Sequence, residues 1–525
     1  MVPSFRIMFN TGAPDVSMQL IAIALAVTGA VAVLAFRTHA ARRILDVTCN
    51  VLLSRIYRIP SLDDGTNIKG PPFTFWDGQM TEKFLCARER SYEWQAKYGS
   101  IYRIWVGPNP EVVITEPKDV QALYTNAYDH AKASAANTGW LLSQIMGQGA
   151  GLINGQRWIN LRKELDRHFS HKASLTMVGT LNENAKTYVQ NMVQYGRSNG
   201  SEKSGSEKFV VNAAHALTRY PYYEIASTFY SNLNQQEIDR LWDLGQLFTK
   251  AFARVIDGGL NRSRLTKWLN TDDWKLTKTY IDQWEEFNAS AYKRRVDAGI
   301  NDQVVDLFQA AEAGRVDREE VLQTLAESLF ANLDVTTHVM TSCVILLADN
   351  TMVTEDLRRE FSEHADDIDT YLGKKDTLLH YCLLESLRLQ PVLSYSFPEK
   401  PPREKILGGY RIPKDMTCVV DAHAINIRNP FWGSDTREYR PSRFFTIPQT
   451  KLRYNLQAFG YGPRKCLGNN ISDKMVHALV YQLFSQYDLV VRPNMKKEND
   501  YYFKTDKTNW LGLFDVELEM KKRVL

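Results

Sequence analysis

One cysteine, Cys466, stands in the run AFGYGPRKCLGNNIS (458–472), with Gly460, Gly462 and Pro463 before it and Gly468 just after. The other five cysteines, at 49, 86, 343, 382 and 418, are scattered far from it. The loop is therefore built for neither a disulfide nor a Cys-x-x-Cys metal pair. Glycine permits backbone turns that aim N–H groups at a sulfur, and a helix starting after Gly468 would favour negative charge there. Arg464 and Lys465 add positive potential, and each of these influences is expected to favour thiolate over thiol. A nucleophilic cysteine needs a base, and no histidine pairing is evident. A metal held by one sulfur needs its other positions filled, which the four coplanar nitrogens of a porphyrin would do, as in cysteine-ligated haem.

Three further sets of residues have chemistry-bearing spacing. GQRWINLRKELDRHFS (155–170) puts Trp158 and Arg162 on one helical face at i and i+4. YCLLESLRLQP (381–391) does the same for Glu385 and Arg388 at i and i+3, and YRPSRFF (439–445) supplies Arg443. Between apolar stretches, ANLDVTT (331–337) places Asn332 and Asp334 where a polar side chain needs a partner or a task.

Taken together, Phe459, Gly460, Gly462, Arg464, Cys466 and Gly468 make the pattern Phe-Gly-x-Gly-x-Arg-x-Cys-x-Gly. It resembles the haem-binding loop of the cytochromes P450, the haem-thiolate monooxygenases. The resemblance covers residues 60 to 520 or so and implies haem with Cys466 as axial thiolate. It implies Trp158, Arg162 and Arg464 at the haem carboxylates, and Phe459, Gly460 and Gly468 shaping the loop. It also implies a buried network of Glu385, Arg388 and Arg443 that braces the core. Lys163, Arg167 and Lys465 would offer a basic face to an NADPH-dependent reductase.

Two positions depart from the family pattern. Its central-helix motif carries a glycine where this chain has Asn332, and a proton-delivering threonine where it has Val335. Asp334 remains, with Thr336 as a candidate helper. Counting back from Gly408-Gly409-Tyr410, the family often has a haem-binding arginine where this chain has Glu399, so anchoring is expected to lean on Trp158, Arg162 and Arg464. The substrate pocket is expected along 140–153, 215–255, 329–337, 392–397 and 508–514, with Phe330, Asn332, Val335 and Phe397 lining it.

The elements that must position these residues are mainly helical with a minor β part. A hairpin is predicted in YGSIYRIWVGPNPEVVITEP (98–117), helices over about 118–390, and strands again in 405–421. Asp317 and Glu320 form a capping box that opens one long helix running to about Asn350. RSNGSEKSGSEK (197–208) reads as a surface loop.

The bulk numbers agree with a large globular chain: 525 residues, 44% hydrophobic, formal charge +4. No zinc-finger spacing or arginine-rich arm points to nucleic acid, and the cysteine usage suits a reducing compartment. Residues 18–36, MQLIAIALAVTGAVAVLAF, are uncharged and followed by Arg37, Arg42 and Arg43. A run of that length matches the ~20 residues of a membrane span, and the basic flank puts the rest of the chain in the cytosol. The expected layout is a short N-terminal segment (1–17), a transmembrane anchor (18–36), a linker (37–72) and one haem-thiolate domain (73–525), with the endoplasmic reticulum as the expected membrane.

The expected function is oxidation of a small organic molecule with O2 and reductase-supplied electrons, by hydroxylation, coupling or dehydrogenation. FANLDVTT resembles fungal members that tailor peptide-derived metabolites such as diketopiperazines. The loss of threonine at 335 keeps a second reading open, a reductase-independent isomerase or dehydratase acting on a peroxide.

Overall fold

The computed structural model describes residues 39–75, 77–133, 139–196, 208–492 and 515–523. The apolar run 18–36, the polar run 197–207 and the pocket stretch 508–514 lie outside the described residues. Residues 37–72, expected as a linker, contain an 18-residue helix, α1 (His39–Ile56), that leaves Ile44, Val47, Leu52 and Ile56 exposed.

The predicted hairpin forms. Strands β1 (Ile101–Val106) and β2 (Asn109–Ile114) pair antiparallel, with Val106 opposite Asn109. Gly107 takes the left-handed φ of +57° that so short a connection demands. Three more strands complete this sheet, β3 (Ala131–Lys132), β4 (Glu399–Lys400) and β5 (Thr417–Val420). β2 runs parallel to β5, and β4 lies antiparallel between β5 and β3. At the β3 edge Lys132 stands directly opposite Glu399.

Helices carry the rest. In α2 (Gly155–Phe169), Leu161, Leu165 and Phe169 form the buried face and leave Trp158 and Arg162 beside it. The long central helix begins as predicted, with Glu320 Oε2 accepting the Asp317 N–H at 3.0 Å. It is not uniform, however. α3 (Arg318–Ala331) gives way to a π turn at Asn332–Thr336 before α4 (Thr337–Ala348). Polar side chains at the join explain the widening: Thr336 Oγ1 donates to Asn332 Oδ1 at 2.6 Å, Thr337 Oγ1 to Asn332 O at 3.0 Å, and Thr218 Oγ1 to Leu333 O at 3.1 Å. Carbonyls engaged by side chains loosen the i→i−4 ladder. The whole stretch Arg318–Ala348 is apolar enough to cross a membrane, yet 83% of its most apolar window is buried in the protein, as a core helix requires. Against it pack α5 (Leu378–Leu389) and α6 (Asn469–Gln486), the helix that follows the cysteine loop.

Candidate active site

The cysteine loop is held by local chemistry. Gly460 and Gly462 adopt φ of +79° and +68°, which an L side chain resists. The Cys466 N–H donates to Phe459 O at 2.8 Å, and Asn469 Nδ2 donates to Cys466 O at 2.9 Å. This fixes the sulfur two residues ahead of Gly468, the N-cap of α6. Cys466 is solvent-exposed as a residue, yet its sulfur has protein atoms densely packed around it. Burial accordingly pushes the thiol up; the Gly468 N–H and Arg162 lower it, and Glu327 raises it further. The expected net push toward thiolate is thus not present in the protein alone. The reason is that Arg464 turns away from the sulfur, donating to Asn154 Oδ1 at 2.9 Å and Ile153 O at 2.9 Å, while Lys465 points to solvent. A bound metal cation would supply the missing stabilisation of thiolate.

Across the cleft lies the central helix. Most of its residues are buried; among those that are not, Glu327, Ala331, Asp334 and Val335 share one helical face at i, i+4, i+7 and i+8. Gly151 links the stripe to the cysteine loop: its N–H donates to Glu327 Oε2 at 3.0 Å and its carbonyl accepts from Arg464 Nη2 at 3.4 Å. Thr336 is buried and its hydroxyl is engaged by Asn332, whose Nδ2 donates to Ser328 O at 2.6 Å. Phe330, expected in the pocket, points away. It is 1% exposed and packs among Tyr222, Phe248, Tyr280 and Trp284 at ring-centroid distances of 4.5 to 6.2 Å. One residue of helical rotation from Ala331 is enough to move it from cleft to core. Phe397 is 47% exposed, with Lys132 beside its ring.

At one end of the cleft cations gather. Arg464 lies 4.5 Å and Arg162 5.8 Å from the Trp158 ring centroid. Arg162 donates one end of its fork to Asp166 at 2.7 Å, but its buried Nε has no partner among the described residues. Burial pulls the Arg464 guanidinium down to about 10, with Glu399 and Glu327 opposing. Glu399 is not a stray acid where a cation was expected. Lys132 Nζ meets its Oε1 at 2.6 Å and His130 Nδ1 faces its Oε2 at 3.2 Å. Burial works against this carboxylate, but His130 and Lys132 more than offset it and hold it below its ordinary range. Asn154 ties the two cations together: its Oδ1 accepts from both Lys132 N (2.8 Å) and Arg464 Nη1 (2.9 Å). Lys132, His130, Asn154 and Glu327 carry no sequence motif. Only the helical spacing of Glu327 from Ala331 and Asp334 could have singled it out.

Behind the cleft the predicted network closes. Arg388 donates to both oxygens of Glu385, Nε to Oε2 at 2.7 Å and Nη2 to Oε1 at 2.9 Å. Arg443 Nε and the Arg440 N–H reach Oε1 at 3.0 Å each. Spare guanidinium donors go to the carbonyls of Asn426, Thr436 and Trp432. Glu385 and Arg388 are fully buried.

An exposed cysteine, a partly exposed stripe on the central helix tied to its loop, and a cationic end where Arg162 Nε has no partner among the described residues suit a flat metal-bearing group with acidic substituents. Haem fits this description. The family model for Cytochrome P450 matches residues 86–507. Among curated relatives, the Cytochrome P450 monooxygenase hasH of Aspergillus fumigatus is 50% identical over 92% of this chain and 90% of its own length. SirC of Leptosphaeria maculans, of the same description, is 37% identical over 94% and 96%, and gliC of Aspergillus fumigatus 34% over 90% and 92%. A solved zebrafish cytochrome P450 with progesterone superposes with a TM-score of 0.63 at 17% identity, covering 84% of this chain and 99% of that one, which shows the shared fold. The chain belongs to the cytochrome P450 family. It is a monooxygenase with the family's haem and cysteine-thiolate ligation.

Proposed function

We propose that this monooxygenase tailors a small peptide-derived metabolite of the diketopiperazine type, working from a membrane with its catalytic domain in the cytosol. The observation that carries the reading is an exposed Cys466 in a glycine-shaped loop that Gly151 ties to the central helix bearing Ala331, Asp334 and Val335. The wide similarity to fungal P450 monooxygenases supports it. Cys466 would hold the haem iron, and Trp158, Arg162, Arg464 and Lys132 its carboxylates. Bound haem supplies oxygen activation. Asp334 would hold a proton at the cleft, with the Thr336–Asn332 pair behind it. Val335 and Phe397 would present apolar surface to the substrate. The exposed apolar residues of α1, next to the uncharged run 18–36, suit a membrane-facing segment. Lys163 and Lys465 are exposed and Arg167 is paired with Asp306, so the two lysines are the better candidates for steering an acidic reductase.

The test supplies reductase and NADPH with candidate cyclic dipeptides. Oxidised product formed in proportion to NADPH is expected; turnover seen solely with peroxide would sink the monooxygenase assignment.

Two substitutions probe the parts. Lys132→Met removes a charge-assisted donor from the cationic end, a contact worth about 1.5–3 kcal/mol, so the haem affinity measured by competition with apomyoglobin should fall about tenfold or more. Unchanged affinity would leave Lys132 a partner of Glu399 and nothing else. Val335→Thr places a hydroxyl beside Asp334 on the open stripe. The ratio of product to released peroxide should change at least about twofold, because proton supply at the cleft is altered. Identical ratios would show that the missing hydroxyl is irrelevant.

A further inference from the structure

The open stripe carries an acid that none of the roles above uses. Glu327 lies one turn before Ala331 and two before Asp334, among the buried Leu325, Ala326 and Leu329. The loop 147–151 is shaped around it. The Gly151 N–H donates to Oε2 at 3.0 Å. A Cβ on Gly151 would stand 2.0 Å from Oε1, and one on Gly149 2.5 Å from Oε2, so glycine at both positions makes room for the carboxylate.

Docking the loop does not by itself require an acid here. Gln323 Oε1 already accepts the Gln148 N–H at 2.7 Å, and Thr324 Oγ1 accepts the Ala150 N–H at 3.1 Å, both on the same helix. Among the described residues none donates to Glu327 Oε1, and no cation pairs with it, although Arg464 and Lys132 are near enough to lower its pKa. Burial is the larger influence and raises it. A polar group in such a place is costly unless a partner arrives, and the partner that can reach the open stripe is the substrate.

We propose that Glu327 is a specificity-determining residue whose free Oε1 accepts a hydrogen bond from an N–H of the bound substrate. Under the reading above, on which this rests, the donor is a ring amide of a cyclic dipeptide. The geometry also orients the ligand. A ring held at Glu327 and lying along the stripe would direct its far side, not the held amide, toward Ala331 and Val335.

The experiment titrates the purified, haem-loaded full chain with cyclic dipeptides bearing free ring N–H groups and with their N,N′-dimethyl analogues, following the haem absorption spectrum. The parent should bind a free N–H form about tenfold or more tightly than its dimethyl analogue, the range for a hydrogen bond to a charged group. Glu327→Leu should abolish that preference, weakening the free form and leaving the dimethyl form within about threefold. Glu327→Gln keeps an acceptor for the Gly151 N–H and a weaker one for substrate, so it should retain the fold and part of the preference. Equal binding of both forms by the parent, or a preference unchanged in Glu327→Leu, overturns the assignment while leaving the reading of substrate class intact. A parent that responds to no cyclic dipeptide overturns both.

Discussion

Cys466→Ala is expected to yield a folded, nearly colourless protein. The loop's shape depends on Gly460, Gly462 and the Cys466 N–H bonded to Phe459 O, none of which involves the sulfur. Circular dichroism should therefore match the parent. Haem retention should not. Loss of even an outer-shell partner of a metal ligand costs about 10–100-fold in affinity, and removing the ligand itself leaves just the cationic end to hold the group. A haem-to-protein ratio like the parent's, with the same spectrum, would mean that the iron is held elsewhere.

Glu385→Ala should be the most damaging change outside the cleft. It strands two guanidinium groups, Arg388 and Arg443, in a region where the glutamate and Arg388 are fully buried and Arg443 is 5% exposed. Removing one partner of a buried ion pair costs about 3–5 kcal/mol, a large share of the roughly 5–15 kcal/mol that holds a typical domain together. The loss reaches beyond the three side chains. Arg388 and Arg443 pin the carbonyls of Asn426, Thr436 and Trp432, and the segment that carries them leads into the cysteine loop. Urea unfolding of the apoprotein should show a clearly lower midpoint, and haem uptake should fail alongside it. Glu385→Gln, which still accepts from one guanidinium, should fall between the two. A Glu385→Ala midpoint equal to the parent's would remove the network from any structural role.

The features legible in the chain itself are those that local chemistry dictates. The glycine-lined cysteine loop, the hairpin at 101–114, the Asp317–Glu320 cap and the helical spacing of Glu385 and Arg388 depend on residues close in sequence, and each forms as expected. Features that need the third dimension fare differently. The π turn at 332–336 depends on Thr218, more than a hundred positions away, as well as on its own polar side chains. Phe330 carries an apolar side chain suited to pocket or core, and only the aromatic residues at 222, 248, 280 and 284 decide for the core. Glu399 reads in the sequence as a missing cation because its compensating Lys132 lies 267 residues earlier, across a short strand pair. The thiol's pKa departs from expectation for a related reason: proximity in sequence makes Arg464 its neighbour, whereas the fold commits that guanidinium to carbonyls of the 151–153 segment.

The side-chain amide of Asn154 has a consequence for biogenesis. It joins the strand at Lys132 to Arg464, which lies 310 positions beyond Asn154 itself. Contacts of such separation form late, because the loop between them must be closed first. On a ribosome, the cationic end stays incomplete until Arg464 has emerged. Cofactor capture is thereby deferred to a stage when the surrounding core already exists, and prematurely terminated chains are denied a properly assembled binding cradle.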